Sequence, residues 1–236
     1  MVNPMNLHSS LVCLTLLPVS LFGQWELRVM AGGGAGRIRT DLYPATSRGE
    51  YQVVDHRFSW CVGGTLSHEL SRPLQFSTGL HWSFIAGHDE HWHPGVMIRS
   101  TDRAAHYLCL PMMVDVSLWR FRIGTGLQVA TPLIERGTFR TFPSANGYGT
   151  PTSEEVDDIG LKHTDFGAVA SIDIQLTELT QAGVRYYHGL QDVKDHTDGW
   201  ISPLMNQQLV LTFGYRILPM RKAKAEEPTT EPVPEQ

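Results

Sequence analysis

Residues 165–190, DFGAVASIDIQLTELTQAGVRYYHGL, contain two runs in which apolar and polar side chains alternate. From Phe166 to Leu176 every second residue is apolar, which is the period of a β-strand with one apolar and one polar face. Thr177-Glu178 then reverses the chain, and a second alternating run leads to Leu190. The polar faces carry Asp173 and Arg185, so the pattern predicts a barrel hairpin in which these two inward charges can pair.

The same alternation recurs in six other stretches, and together with the hairpin these predict eight strands. The six further strands are Trp25–Arg37, Phe58–Glu69, Leu74–Ala86, His106–Leu118, Arg120–Leu133 and Gln207–Ile217.

The connections between these strands are alternately long and short. The predicted long connections are Ile38–Val54, Gly87–Ala105, Ile134–Leu161 and Gln191–Met205. Outer-membrane barrels have an even number of strands, short periplasmic turns and long external loops. The sequence therefore predicts an all-β, eight-stranded, antiparallel, up-and-down transmembrane β-barrel in the cell outer membrane, with both termini periplasmic.

A soluble eight-stranded barrel of the lipocalin type is the main rival fold. Such a barrel would hide its apolar face inside and show its polar face to water. In this sequence the glycine-rich face carries charges such as Arg122 and Arg216, which favours a narrow polar interior and an apolar face against outer-membrane lipid. No stretch is long and apolar enough for a transmembrane helix, and the net charge of −5 offers no basic surface for nucleic acid.

The two ends of the chain differ in composition from the predicted barrel. Leu11–Phe22 is an apolar core of signal-peptide length, which predicts a signal peptide at residues 1–23; a buried N-terminal strand or helix is the alternative. The barrel is then expected over residues 24–218. Residues 219–236 are acidic and rich in proline, which predicts a disordered periplasmic tail that serves as a spacer or contacts a partner.

Charged residues on the inward faces of the predicted strands form the main candidate site. A buried charge is tolerated when it is paired and hydrogen-bonded, so we expect a structural ionic network that plugs the lumen. A conducting pathway, which would make the protein a narrow pore, is the alternative. The predicted network consists of Asp115, Arg122, Asp173, Arg185 and Arg216.

Histidines and cysteines give weaker signals of chemistry. His88, Asp89, His91 and His93 crowd one predicted loop and could bind zinc or copper, although a solvated polar loop explains them better; no metal or cofactor is predicted. Cys61 and Cys109 are expected to be two free, half-buried thiols, with a disulfide as the alternative.

An enzyme that modifies lipids is the alternative to a non-catalytic barrel. It would need a nucleophile and a base together on the lipid-facing rim. His81 and Ser83 lie two residues apart and His188 lies near a strand end, but none has a local catalytic motif. The sequence therefore predicts no catalytic residue.

Several short motifs occur in an order that resembles the PorT-like outer-membrane β-barrel family of Bacteroidota. The motifs are Tyr107-Leu108 with Pro111, Gly124 and Gly126, Asp165 with Gly167, Arg185-Tyr186 with Gly189-Leu190, and Gly214-Tyr215. The resemblance implies an outer-membrane barrel and no single biochemical role. The expected role is structural, binding through the long loops, or assembly or secretion with a periplasmic or secretion-complex protein as partner.

Overall fold

The computed structural model describes residues 25–40, 51–93, 96–142, 150–157, 159, 161, 164–193 and 204–218. Within these ranges the chain forms nine antiparallel strands. They are β1 (Trp25–Thr40), β2 (Tyr51–Ser71), β3 (Leu74–His93), β4 (Val96–Leu118), β5 (Phe121–Thr141), β6 (Thr152–Val156), β7 (Asp165–Gln175), β8 (Thr180–Gly189) and β9 (Leu204–Leu218). The predicted signal peptide at 1–23 and the predicted tail at 219–236 lie outside the described residues.

Eight of the nine strands close into a ring. Each strand of the ring pairs with its neighbour in chain order, β5 passes over β6 to pair with β7, and β9 returns to pair with β1. The closing register runs from Leu27↔Leu218 to Thr40↔Leu204. The predicted eight-stranded up-and-down barrel is confirmed, and the short strand β6 is an addition that pairs only with the far end of β5.

The two faces of the ring have the polarity of a transmembrane barrel. On β9 the outward Leu211 and Phe213 are 68% and 53% exposed, whereas the inward Val210 and Thr212 are 2% and 8% exposed. The same apolar, exposed outward face continues around β1–β5, β7 and β8. A soluble protein rarely exposes so continuous an apolar surface, and a barrel spanning a bilayer requires it.

Within the described ranges no helix is long and apolar enough to cross a membrane.

Four neighbouring strands are much longer than the sequence predicts. Strands β2–β5 contain 21, 20, 23 and 21 residues, whereas β7 and β8 contain 11 and 10. A tilted strand crosses a bilayer in about 9–11 residues, so β2–β5 continue well beyond the membrane. We refer to their continuation, with β6, as the wall; it lies on the side of the long connections.

Three predicted loops are partly wrong as a result. Most of Gly87–Ala105 is not a loop, because β3 and β4 stay paired from Gly87↔Arg103 to His93↔Val96. Part of Ile134–Leu161 belongs to β5 and β6, and both ends of Ile38–Val54 belong to β1 and β2. In these segments polar side chains occur on both faces of the strand, so the alternation that identifies a strand disappears from the sequence.

The three short connections lie together at the opposite end of the barrel. Two residues, Arg72-Pro73, join β2 to β3, and Trp119-Arg120 join β4 to β5. Between β7 and β8, the hydroxyl of Thr177 accepts hydrogen bonds from the backbone N–H groups of Leu179 and Thr180 at 3.2 and 3.0 Å. Each of these connections was predicted as a short turn, and each is confirmed.

Candidate functional site in the barrel lumen

A cluster of charges fills the lumen at the short-turn end. The Glu26 carboxylate, 1% exposed, accepts from Arg216 at 3.0 Å and lies 3.8 Å from Arg122. It also forms an ion pair with Arg28, two residues along β1. Alternation places Glu26 and Arg28 on the same inward face, and the curvature of the ring brings β5 and β9 to them. One carboxylate is therefore shared by three guanidinium groups.

A second polar layer lies in the middle of the lumen. Arg185 of β8 reaches across to Nδ1 of His81 at 2.9 Å and to the amide oxygen of Gln128 at 3.1 Å. A guanidinium group can only donate, so His81 accepts at Nδ1 and its Nε2–H donates to the Thr65 hydroxyl at 3.1 Å. This layer links β8, β3, β5 and β2 with hydrogen bonds and fixes the histidine tautomer.

The two other carboxylates of the predicted network lie over glycines on neighbouring strands. Asp115 of β4 pairs in register with Gly124 of β5, and Asp173 of β7 pairs with Gly183 of β8. A Cβ atom at either glycine would overlap with an oxygen of the facing carboxylate. The glycines therefore provide the space that lets each carboxylate lie flat in a narrow lumen.

Neutral polar groups follow above the charged layers. The Gln208 amide donates to the Ser59 hydroxyl at 2.6 Å and accepts from the Ser83 hydroxyl at 3.0 Å. Asn206 donates to the Tyr107 hydroxyl at 2.8 Å and to the Asp165 carboxylate at 2.7 Å. These bonds run between strands that are not neighbours, so they cross-link the ring from inside.

An apolar cluster lies in the lumen at the end of the long connections, and we call it the cap. Its members are Ile38, Ile85, Ala105, Tyr107, Cys109, Ala130, Leu161, Val193 and Leu204. Leu161 and Val193 come from segments predicted as external loops, and both fold inward, 7% and 1% exposed. The backbone N–H of Leu161 donates to the Glu135 carboxylate at 3.2 Å, and the backbone N–H of Val193 donates to the Leu204 carbonyl at 2.9 Å.

Little space remains inside the ring. A cavity of about 50 Å³ lies among Arg28, His81, Asp115 and Arg185, which is room for a few water molecules. A larger cavity of about 310 Å³, which we call the mouth, opens at the short-turn end beside Glu26, Arg122, Arg216 and the three turns. The mouth ends at the charge cluster.

The predicted lumen residues all lie inside the ring, but their pairing differs from the sequence-based hypothesis. Arg122 and Arg216 approach Glu26, which the sequence had not singled out. Arg185 bonds to His81 and Gln128 rather than to Asp173, whose register partner on β5 is Arg122. The inward parity of Glu26 on β1 was the available signal, since Glu26 alternates with the apolar Trp25 and Leu27.

The predicted metal-ligand candidates lie on β3 in the wall rather than in a loop. His88 is 2.7 Å from Asp102 and 3.3 Å from Glu90, and Asp89 forms an ion pair with Arg103. His91 belongs to the same strand, and the side chain of His93 lies outside the described residues. In the described part of the chain, no three His, Cys, Asp or Glu side chains are grouped to hold a metal ion.

The residues considered for lipid chemistry do not lie together on a lipid-facing rim. His81 and Ser83 point into the lumen, 3% exposed each, and are bound to Arg185 and Gln208. His188 points outward from β8.

Cys61 and Cys109 are free, as predicted, but they are buried rather than half-buried. Strand β3 separates the strands that carry them.

No protein-family model matches the chain, and no curated protein matches its sequence. Solved structures with similar folds include Neisserial surface protein A, 9% identical, with a TM-score of 0.42 over 80% of this chain and 96% of that chain. The attachment invasion locus protein Ail of Yersinia pestis is 12% identical, with a TM-score of 0.39 over 82% and 99% of the two chains. Outer membrane protein OprG from Pseudomonas aeruginosa is 13% identical, with a TM-score of 0.38 over 82% and 95%. The barrel fold and the polarity of its faces rest on the strand pairing and exposures given above.

Proposed function

We propose that the chain is an integral outer-membrane β-barrel with a closed lumen that presents the wall outside the cell for binding. The observation that carries the proposal is the continuous, exposed apolar belt around a ring whose interior is polar and filled. If the short turns are periplasmic, as in outer-membrane barrels, the start of β1 and the end of β9 are periplasmic too. The order of motifs that resembles the PorT-like family supports this placement.

Three stacked barriers support the proposal of a closed lumen. The charge cluster around Glu26, the layer around Arg185 and the apolar cap leave a cavity of about 50 Å³ between them. Purified protein in a planar bilayer is expected to show no sizeable single-channel steps, while an open porin under the same conditions shows them. Steps of porin size from this protein would support the narrow-pore alternative instead.

The wall favours a binding role over transport. Beyond the membrane, β2–β5 extend by about ten residues, roughly 30 Å along the strand direction, whereas β7 and β8 end near the belt. A projecting sheet on one side of a closed barrel has no transport use and offers a large surface for a partner. The Arg103–Asp89 ion pair and the His88–Asp102 hydrogen bond hold its strands together.

The orientation has a direct test. An epitope inserted at Pro94-Gly95, between the ends of β3 and β4, is expected to bind antibody on intact cells. The same epitope after Gln236 is expected to bind only after the outer membrane is permeabilised. The reverse pattern would overturn the proposed orientation.

A periplasm-facing assembly or secretion component is the second candidate, and the mouth favours it. This cavity of about 310 Å³ is open at the short-turn end and lined by charged groups that include Arg72 and Glu178. A photo-crosslinking residue at Arg72 should capture a periplasmic protein if this candidate holds. Capture from Glu155 on β6, without capture from Arg72, supports binding through the wall.

We propose no catalytic activity. His81 and Ser83 are bound inside the lumen, where lipid has no access. Lipid profiles measured by mass spectrometry are expected to be the same with and without purified protein. A new deacylated or transferred product would restore the lipid-modifying alternative.

A further inference from the structure

Three outward residues on neighbouring strands form a polar row at the edge of the apolar belt. Arg37 of β1 pairs in register with Gln207 of β9, and Gln207 pairs with His188 of β8. Going from the short-turn end, the outward residues form an apolar run that ends at Ala35 on β1, Leu209 on β9 and Tyr186 on β8. Arg37, Gln207 and His188 are the next outward positions after these runs. The row therefore lies at one level, where hydrocarbon gives way to lipid headgroups.

The hydrogen bonds along this row determine which of its N–H groups remain available to a ligand. Arg37 Nε donates to the Gln207 amide oxygen at 2.6 Å, which orients the amide because a guanidinium group cannot accept. The amide nitrogen of Gln207 then donates to His188 Nδ1 at 2.9 Å. A neutral imidazole that accepts at Nδ1 carries its hydrogen on Nε2, so His188 offers an N–H donor on its other side.

The donors that remain are suited to an anion. Among the described residues, the two terminal nitrogens of Arg37 and the Nε2 of His188 have no hydrogen-bond or ion-pair partner. Both side chains are half-buried, while Gln207 between them is 9% exposed and holds them apart. Guanidinium binds phosphate with two parallel hydrogen bonds, and an imidazole N–H adds a third donor.

We propose that Arg37, Gln207 and His188 form a binding site for the phosphate group of a membrane lipid in the leaflet at the long-connection side. This inference rests on the proposed membrane placement of the barrel. The outward side chains directly below the row, including Leu209 and Tyr186, provide a surface for the acyl chains of the same lipid. A free phosphate ion would use the donors and leave this adjacent apolar surface unused, so the site takes an amphiphile.

The test begins with the full chain inserted into bilayers of phosphatidylcholine, which establishes membrane insertion independently of the site. The inserted protein is then equilibrated with equal amounts of phosphatidic acid and phosphatidylcholine of identical acyl chains, and retained lipid is counted by native mass spectrometry. Failure to insert would overturn the proposed function. Insertion without preference for phosphatidic acid would overturn only the lipid site.

Variants identify the residues responsible. Arg37→Gln is expected to lower retention of phosphatidic acid about tenfold, because the paired guanidinium bonds are lost. His188→Phe keeps an aromatic ring at this position but removes the N–H donor, so we expect about a threefold loss of phosphatidic acid retention. This variant tests the site even if Arg37→Gln fails to fold. Arg136→Gln is the matched control, since Arg136 is an exposed arginine on β5 away from the row, and it should retain lipid normally. Unchanged retention in both Arg37→Gln and His188→Phe would overturn the site.

A competition arm separates the two sources of phosphate. Millimolar inorganic phosphate is expected to leave the bound phosphatidic acid in place, because the acyl chains contribute binding that the free ion lacks. Displacement of the lipid by inorganic phosphate would show a site for the free anion and contradict lipid docking.

Discussion

Glu26 is a fully buried carboxylate that three arginines share as a counter-charge at the short-turn end of the lumen. Glu26→Gln keeps the shape of the side chain but leaves Arg28, Arg122 and Arg216 without their common counter-charge. Removing one partner of a buried ion pair costs about 3–5 kcal/mol, and the partial exposure of Arg122 and Arg216 favours the lower end. We therefore expect the free energy of unfolding in urea, measured in lipid vesicles, to fall by about 3 kcal/mol.

The control for this change is Glu155→Gln on the exposed strand β6, which should alter stability by less than about 0.5 kcal/mol. A double variant, Glu26→Gln with Arg216→Met, should be more stable than Glu26→Gln alone, because one uncompensated charge is removed. Equal stabilities for Glu26→Gln and the wild type would contradict the shared role of Glu26.

Gly183 lies beneath the Asp173 carboxylate, and a methyl group at this position would overlap with it. Gly183→Ala is therefore expected to destabilise the barrel by about 1–3 kcal/mol through overpacking. Gly33→Ala is the matched control, because its added Cβ would meet the Phe58 ring at 3.5 Å, an ordinary contact. The midpoints of urea unfolding of the two variants are compared. A midpoint for Gly183→Ala no lower than that for Gly33→Ala would show that the Asp173 carboxylate does not need the space at Gly183.

At the residue scale, alternation predicted which charges point inward but not how they pair. Asp115, Arg122, Asp173, Arg185 and Arg216 were placed from parity alone, and each lies inside. The partner of Arg185 is His81, four positions round the ring from β8, and nothing in either strand encodes that approach. Such contacts depend on the curvature and shear of the closed ring, which local sequence patterns do not carry.

At the scale of the elements, the cap brings residues of two long connections into the end of the lumen. Leu161 lies between β6 and β7 and packs, 7% exposed, on the cluster that includes Cys109. Leu161→Ala should remove packing worth about 2–3 kcal/mol and loosen the cap over the thiol. In a chain with Cys13 and Cys61 replaced by Ser, we expect faster reaction of Cys109 with a water-soluble thiol reagent in the folded barrel.

The matched control is Leu190→Ala, because Leu190 is 53% exposed at the same end of the barrel. It should leave the labelling rate unchanged. Rapid labelling of Cys109 in the unaltered barrel would mean that the cap does not cover the lumen.

Elements inside the membrane were predictable, and those beyond it were not. In the bilayer one face of each strand meets lipid and the other meets polar groups, so the two-residue period is strong, as in β9. In the wall the side chains of both faces are mostly polar, and stretches such as 87–93 read as polar loops although β3 continues through them. The inward turn of Leu161 and Val193 was likewise hidden, because two isolated apolar residues in a polar stretch give no period.

At the scale of the whole molecule, the lengths of the connections predicted the topology. Short turns after β2, β4 and β7 alternate with longer connections, and the ring closes through β1 and β9 as this pattern requires. The wall makes the molecule asymmetric, since β2–β5 project and β7 and β8 do not. This asymmetry supports the proposal that the wall is a binding surface on one side of the barrel.

The central claim is that the outward face of the ring meets lipid and the inward face does not. Single spin labels in reconstituted bilayers test this claim. They are placed on β9 at the outward positions Leu209, Leu211 and Phe213 and at the inward positions Val210 and Thr212. The account predicts a two-residue alternation in which the outward labels collide readily with lipid-soluble oxygen and only weakly with a water-soluble nickel complex. Labels at Val210 and Thr212 should be protected from both reagents. Ready collision of the outward labels with the nickel complex, as in a water-exposed sheet, would show that the outward face does not meet lipid.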